Sequence, residues 1–261
     1  MSLSVEVKSG SSPIVLGLPN TGLGLPFEVA ENLNEFGRLL IDTDWHIHKL
    51  YDDLVPDLTT VRTTIHRYVI DVNRDPCGES LYPGQNTTTL VPLIDFDGNG
   101  IWKSPPAAED VEQRKKQFHK PYHDALSVEI ERVKKEHGFA ILYDCHSIRS
   151  DIPFLFDGKL PDFNIGTNNG TTCDPDIEKS VHDICSNERS YSTILNGRFK
   201  GGWTTRHYGR PEQGVHAIQM ELAQCTYLEA ETTPFPYASG KAKKLRSVLR
   251  NILIELQNFG G

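Results

Sequence analysis

The chain has 261 residues, 38% hydrophobic and 24% charged, the make-up of a soluble globular protein with enough apolar residues for one sizeable core or two small ones. Its formal charge is −8, and its basic clusters at 114–116, 134–135 and 241–246 are short, which argues against nucleic acid or an anionic membrane surface as partner. No apolar run is long enough to span a bilayer, the start has no basic-then-apolar leader, and five scattered cysteines form no CxxC pair, so a cytoplasmic protein with reduced thiols is expected.

In chain order, residues 13–18 form a strand stopped by the turn Pro19-Asn20-Thr21-Gly22. A short helix over 28–36 follows. Asp42-Thr43-Asp44 then offers N-cap chemistry to a helix over 45–54, in which Asp44 and His48 share a face and His46 points elsewhere. Two strands are expected in 59–72, TTVRTTIH and YVIDV, the latter ending in Asp71, Asn73 and Arg74. Residues 75–97, rich in Pro, Gly, Asn and Thr, make a loop of the length that often carries function, and Asp97-Gly98-Asn99-Gly100 is a turn. The clearest helix spans 107–137, with a kink or break at Pro121 and a stop at Gly138, followed by a strand from Ala140. That order resembles a crossover between neighbouring strands. Beyond it lie a strand in DFNIGT, a helix over 174–187 begun by Pro175, a short element in 191–198, an extended stretch at 201–205 and a charged, glycine-rich loop at 207–214. Residues 216–227 alternate as a strand that carries Glu221 to a site, and 241–259 form a final packing helix.

The stretch AILYDCHSIRSD (140–151) is an apolar run ending in Asp144, His146, Ser147 and Arg149, as a buried strand does when it delivers polar groups to a sheet edge. Asp144 could orient His146 as carboxylates do for metal-bound histidines, although a satisfied structural histidine has the same signature. Asp44 and His48 suit a divalent ion with an open position, or an N-cap acid and a surface imidazole. Glu221 is either a sheet-end acid near solvent or the proton acceptor that hydrolysis needs. Arg74, Arg149, Arg206 and Arg210 lie near these loops and suggest an anionic substrate, each with the alternative of an ordinary ion pair.

The segments DTDWHIHKLYDD, RYVIDVNRDP, LYPGQNTTTL, YDCHSIRSDIP, NIGTNNGTTCDP and NGRFKGGWTTRHYGRPEQGVHAIQMELAQCTY, in that order between about residues 13 and 227, resemble the N-formylglutamate deformylases, also called amidohydrolases. The resemblance implies a single domain over 1–261. Its fold would be an α/β three-layer sandwich with a central mixed sheet, like the zinc carboxypeptidases and aspartoacylases (phosphorylase/hydrolase-like). It also implies metal-dependent hydrolysis of N-formyl-L-glutamate, the last step of a histidine-degradation route, with Zn2+ or another divalent ion as cofactor. By that resemblance His146 is a metal ligand, Glu221 the general base and acid, and Arg74, beside Asn73, a grip for a substrate carboxylate. Arg149, Arg206 and Arg210 are candidates for the second carboxylate or the formyl oxygen. The family has a histidine where this chain has Asn20 and tends to an acid where it has His48. Asp44, His48, His146 and Asn20 are thus the candidate metal shell. The rival readings are a hydrolase of another N-acyl acidic amino acid and a non-catalytic binding protein for such a ligand. A small anionic substrate and a monomer or small homo-oligomer are expected.

Overall fold

A computed structural model describes residues 4–81 and 84–260; Tyr82 and Pro83 of the LYPGQNTTTL segment lie outside the described residues. Strands β1 (Val5–Lys8) and β2 (Ile14–Leu18) lead through helices α1 (Phe27–Asn32) and α2 (Ile47–Tyr51) to β3 (Thr59–Thr63). After a long segment come α3 (Ala108–Arg114), a π-helical turn (Lys115–His119) and α4 (Lys120–His137). The chain continues with β4 (Ala140–Ile148), β5 (Phe163–Gly166), α5 (Pro175–Asn187), β6 (Thr193–Leu195), α6 (Trp203–Tyr208), β7 (Val215–Ala223) and α7 (Ser239–Gln257).

One seven-stranded sheet has the order β1-β3-β2-β4-β7-β5-β6. Strands β3, β2, β4 and β7 run parallel, whereas β1 and β5 pair antiparallel with β3 and β7, so the sheet is mixed. Helix α4 covers one face, packing Tyr122, Leu126, Ile130 and Val133 against Val15, Val61, Leu142 and Ala217. Helices α2, α5 and α7 cover the other, against Ile14, Leu16, Tyr143, Ile218 and Met220. This is the α/β sandwich around a central mixed sheet that the resemblance implies. Both β4 and β7 are buried along their whole length, as inner parallel strands covered on two faces must be.

Several expectations need correction. YVIDV is not a strand. Tyr68, Val69, Ile70 and Val72 are buried, but turn bonds such as Val69 N–H to His66 O and Arg74 N–H to Asp71 O hold the segment instead of a ladder. The crossover through α4 therefore starts at β3, and it skips β2 rather than joining neighbours. The stretch at 201–205 enters helix α6 instead of staying extended. Asp44 lies outside α2: His46, with φ +58°, occupies the N-cap position, so Asp44 and His48 do not share a helical face. The break expected at Pro121 is the π-turn just before it, where proline has no N–H to continue the ladder.

Candidate active site

Alternate residues of β4 and β7 explain why the site lies where it does. Ala140 and Leu142, like Val215 and Ala217, belong to the apolar face under α4. The same rows continue into Asp144 and His146 and into Gln219 and Glu221, toward the carboxyl ends of the parallel strands, where open α/β sheets bind ligands. The ladder pairs Asp144 with Gln219 and His146 with Glu221. On β2, Gly17 pairs with Asp144, and a Cβ there would sit 3.3 Å from Asp144 Oδ1.

His146 is buried between two carboxylates. Its Nδ1 is 3.1 Å from Asp44 Oδ2 and its Nε2 is 3.1 Å from Asp144 Oδ1 and 3.2 Å from Asn73 Nδ2. Burial opposes a charge on the ring, but Asp144 and then Asp44 outweigh it and raise its proton affinity well above the usual value. Thr205 Oγ1 donates to Asp144 Oδ2 (2.9 Å), and Ser147 N–H to Asp44 Oδ2 (3.2 Å). Asp44 N–H donates to Asn20 O (3.0 Å), which places the 44 loop against the end of β2.

Arg67 was not anticipated. Its Nη2 lies 3.6 Å from Asp44 Oδ1, its Nε 3.9 Å from Asp71 Oδ2, and its guanidinium 5.1 Å over the Phe96 ring. It is buried, and its Nε has no hydrogen-bond partner. Burial alone would raise the Asp71 carboxyl, yet Arg74 and Arg67 bring it down to about 2. Asp71 Oδ1 accepts from Asn20 Nδ2 (3.0 Å) and Asn73 N–H (2.9 Å). Arg74 donates to Thr88 O, Thr88 Oγ1 and Asn73 O at 3.0–3.1 Å, using part of its five N–H groups.

Glu221 accepts from Gln219 Nε2 (3.2 Å), and Gln219 Oε1 in turn accepts from Gly202 N–H (2.6 Å). Burial pushes its carboxyl up to about 8, with His146 opposing and Asp44 adding to the rise. A carboxyl in that range exchanges protons near neutral pH. Arg67, Asn73, Arg74, His146 and Glu221 line one pocket, closed by Asn86, Thr88, Leu155, Arg198 and Phe199 from loops.

Four anticipated residues are elsewhere. His48 lines a separate groove with Glu6, Tyr51 and Arg62, because α2 begins too late to turn it toward Asp44. Arg149 pairs with Asp97 (2.9 Å) and does not line the pocket. Arg206 Nε donates to Gly201 O, and Arg210 Nη1 to Arg206 O and Gly209 O, so both serve carbonyls around α6. Arg198, in the pocket wall, donates to Leu155 O (3.2 Å) and Asn86 O (3.0 Å) and, like Arg67, was not anticipated. In a sequence both look like ordinary surface arginines, and Arg198 was visible only inside the NGRFKGG block.

Among the described residues no three His, Cys, Asp or Glu side chains are grouped to hold an ion by themselves. The structure still offers a mixed donor set. Asp44 Oδ2 and His146 Nδ1 are spaced as two ligands of one ion are, and Asp144 stands behind Nε2 as the carboxylate that orients a ligating histidine. Asn20 adds a buried Oδ1 without a hydrogen-bond partner. An imidazole nitrogen and a carboxylate oxygen suit a divalent ion, and the amide oxygen of Asn20, whose backbone meets Asp44, would be a weaker third donor than an imidazole.

A family model described as N-formylglutamate amidohydrolase matches residues 12–228. N-formylglutamate deformylase from Pseudomonas aeruginosa is 44% identical over 260 residues, covering 98% of this chain and 97% of the relative. The protein of that name from Pseudomonas putida is 45% identical, covering 100% and 98%. The crystal structure of N-formylglutamate amidohydrolase from Ralstonia eutropha JMP134 matches with a TM-score of 0.81 at 23% identity, over 98% of both chains. A protein of known structure from Agrobacterium tumefaciens matches with a TM-score of 0.71 at 13% identity, over 97% of this chain and 94% of that one.

Proposed function

The chain belongs to the N-formylglutamate amidohydrolase family, and from that premise we propose how its buried cluster hydrolyses N-formyl-L-glutamate to formate and L-glutamate. The protein is a hydrolase of the N-formylglutamate deformylase type. The observation that carries the mechanism is the rung that sets Glu221 opposite His146 in a pocket that also holds Arg67 and Arg74.

We propose that Asp44, His146 and Asn20 hold one divalent ion, zinc in the first instance, which when bound supplies Lewis-acid polarisation of the formyl carbonyl and of water. Glu221 then takes the proton from the attacking water. Arg67, buried in the pocket lining beside Asp44 and Asp71, stabilises the negative charge that develops on the formyl oxygen. Protonated Glu221 gives its proton to the departing amine. Arg74 takes one substrate carboxylate in its remaining N–H groups, and Arg198, which lines the same pocket while donating to Leu155 O and Asn86 O, takes the other.

The histidine-degradation route, the kinship with zinc carboxypeptidases, a single domain and a monomer or small homo-oligomer are likewise our proposals and rest on the resemblance. A cytoplasmic setting is proposed from the five cysteines, all free in this structure; separately, no described helix is long and apolar enough to cross a membrane. The test is formate and glutamate release from N-formyl-L-glutamate by purified protein of measured metal content. Absence of both products in metal-loaded protein overturns the reading.

A further inference from the structure

We propose that His119 and His123 are positioning residues of this site, two imidazoles that set the Val72–Arg74 turn and through it the Asn73 amide and the Arg74 guanidinium. The inference rests on the reading of Arg74 as a group that binds a substrate carboxylate.

The turn needs outside support because YVIDV has no strand partner to take its carbonyls. His119 Nε2 lies 3.0 Å from Arg74 O, and His123 Nε2 lies 2.8 Å from Val72 O. A carbonyl only accepts, so each Nε2 carries the proton and each imidazole replaces a ladder bond. Asn73, between those carbonyls, is fixed at its remaining atoms. Its N–H donates to Asp71, its Oδ1 accepts from Thr204 N–H (2.9 Å), and its Nδ2 meets His146. The two histidines are fixed in turn: Trp203 packs on both rings, with centroids 5.6 and 4.7 Å away, and Tyr208 Oη is 3.1 Å from His123 Nδ1. His119 closes the π-turn and His123 lies in the first turn of α4, so the irregularity of the helix sits where the two side chains are aimed. Burial keeps both rings neutral, pushing His123 down to about 3 and lowering His119. The single-proton form that the carbonyls require is therefore favoured over the charged one more than in a free imidazole.

The experiment compares His119→Phe and His123→Phe, which keep a ring against Trp203 but lose the N–H, with His119→Gln and His123→Gln, which keep a donor. The metal-loaded variants are assayed with N-formyl-L-glutamate and with N-formyl derivatives of 4-aminobutyrate and 2-aminobutyrate, each lacking one carboxylate. Arg74→Gln identifies which carboxylate Arg74 holds, by loss of discrimination against one analogue. Each Phe variant is expected to lower kcat/KM for the intact substrate on the order of 10–100-fold, to narrow the same discrimination, and to be largely rescued by Gln. Folded Phe variants that discriminate like the parent, or Gln variants as impaired as Phe, overturn the proposal. If Arg74→Gln leaves discrimination unchanged, the Arg74 reading itself falls and takes this proposal with it. Met replaces Phe in the comparison if a Phe variant does not fold.

Discussion

Glu221 shows how one residue acquires its chemistry from its place. Its carboxyl is buried at the end of β7, and that burial, more than any neighbour, lifts it to about 8. Glu221→Gln keeps the shape and the bond to Gln219 but cannot exchange a proton. We expect turnover to fall by a factor of about 10²–10⁴ with metal content unchanged; near-parental turnover would remove Glu221 from the mechanism. Asn20 is the converse case, a buried oxygen with no partner. Replacing it with histidine offers an imidazole to the Asp44–His146 pair, and the variant is expected to retain zinc through dialysis against chelator at least about 10-fold better than the parent. Equal retention would show that Asn20 faces no ion. His146 and Glu221 were legible because each is a polar letter at the end of an apolar strand. Arg67 was not: nothing in HRYV tells that its guanidinium folds under Phe96 between Asp44 and Asp71.

At the scale of elements, the strands with continuous apolar runs and the helices with clear ends were readable. Asp174 caps α5 through a bond from Asp176 N–H (2.8 Å), and Gly138 ends α4 with φ +82°. Elements made by tertiary contact were not. Helix α6 is short, and its first turn is tied to Asn73 through Thr204 N–H rather than by any cap of its own. YVIDV has strand residues but no strand partner, a requirement that local letters do not state. The entry to α6 also yields a prediction. A Cβ at Gly202 would lie 2.4 Å from Asn73 Nδ2, so Gly202→Ala must displace that amide. We expect a loss of about 100-fold in kcat/KM with a folded circular-dichroism spectrum. Parental kinetics would mean that the Asn73 amide need not stay where it is.

For the whole molecule, buried titrating groups set the pH range of stability. Burial pushes His66 and His123 down to about 3, and burial with Arg62 nearby takes His48 to about 4. Unfolded, all three titrate near 6.5, so below that pH the unfolded chain binds more protons and stability falls as pH falls. Asp42, lifted by burial to about 7, and Glu221 act the other way: the folded state holds protons that the unfolded carboxyls release, so stability falls as pH rises. His146, raised, adds to that loss above 6.5. His119, His207 and His216 are lowered by burial too, so the imidazoles outweigh the two carboxyls on the acid side, and the metal-free protein is expected to melt highest at about pH 6–7. A thermal midpoint that climbs steadily from pH 6 to 9 would contradict this balance. The rung between His146 and Glu221 has one more consequence. The proposed ligand and the proposed base hang on an inner ladder of the sheet, whereas Asn86, Thr88 and Phe199, which close the pocket, belong to no strand. Opening of that outer wall would leave His146 and Glu221 in register. Hydrogen–deuterium exchange should accordingly divide the site in two, with amides at 145–148 and 219–222 exchanging only when the whole protein unfolds and those at 86–88 exchanging through local opening.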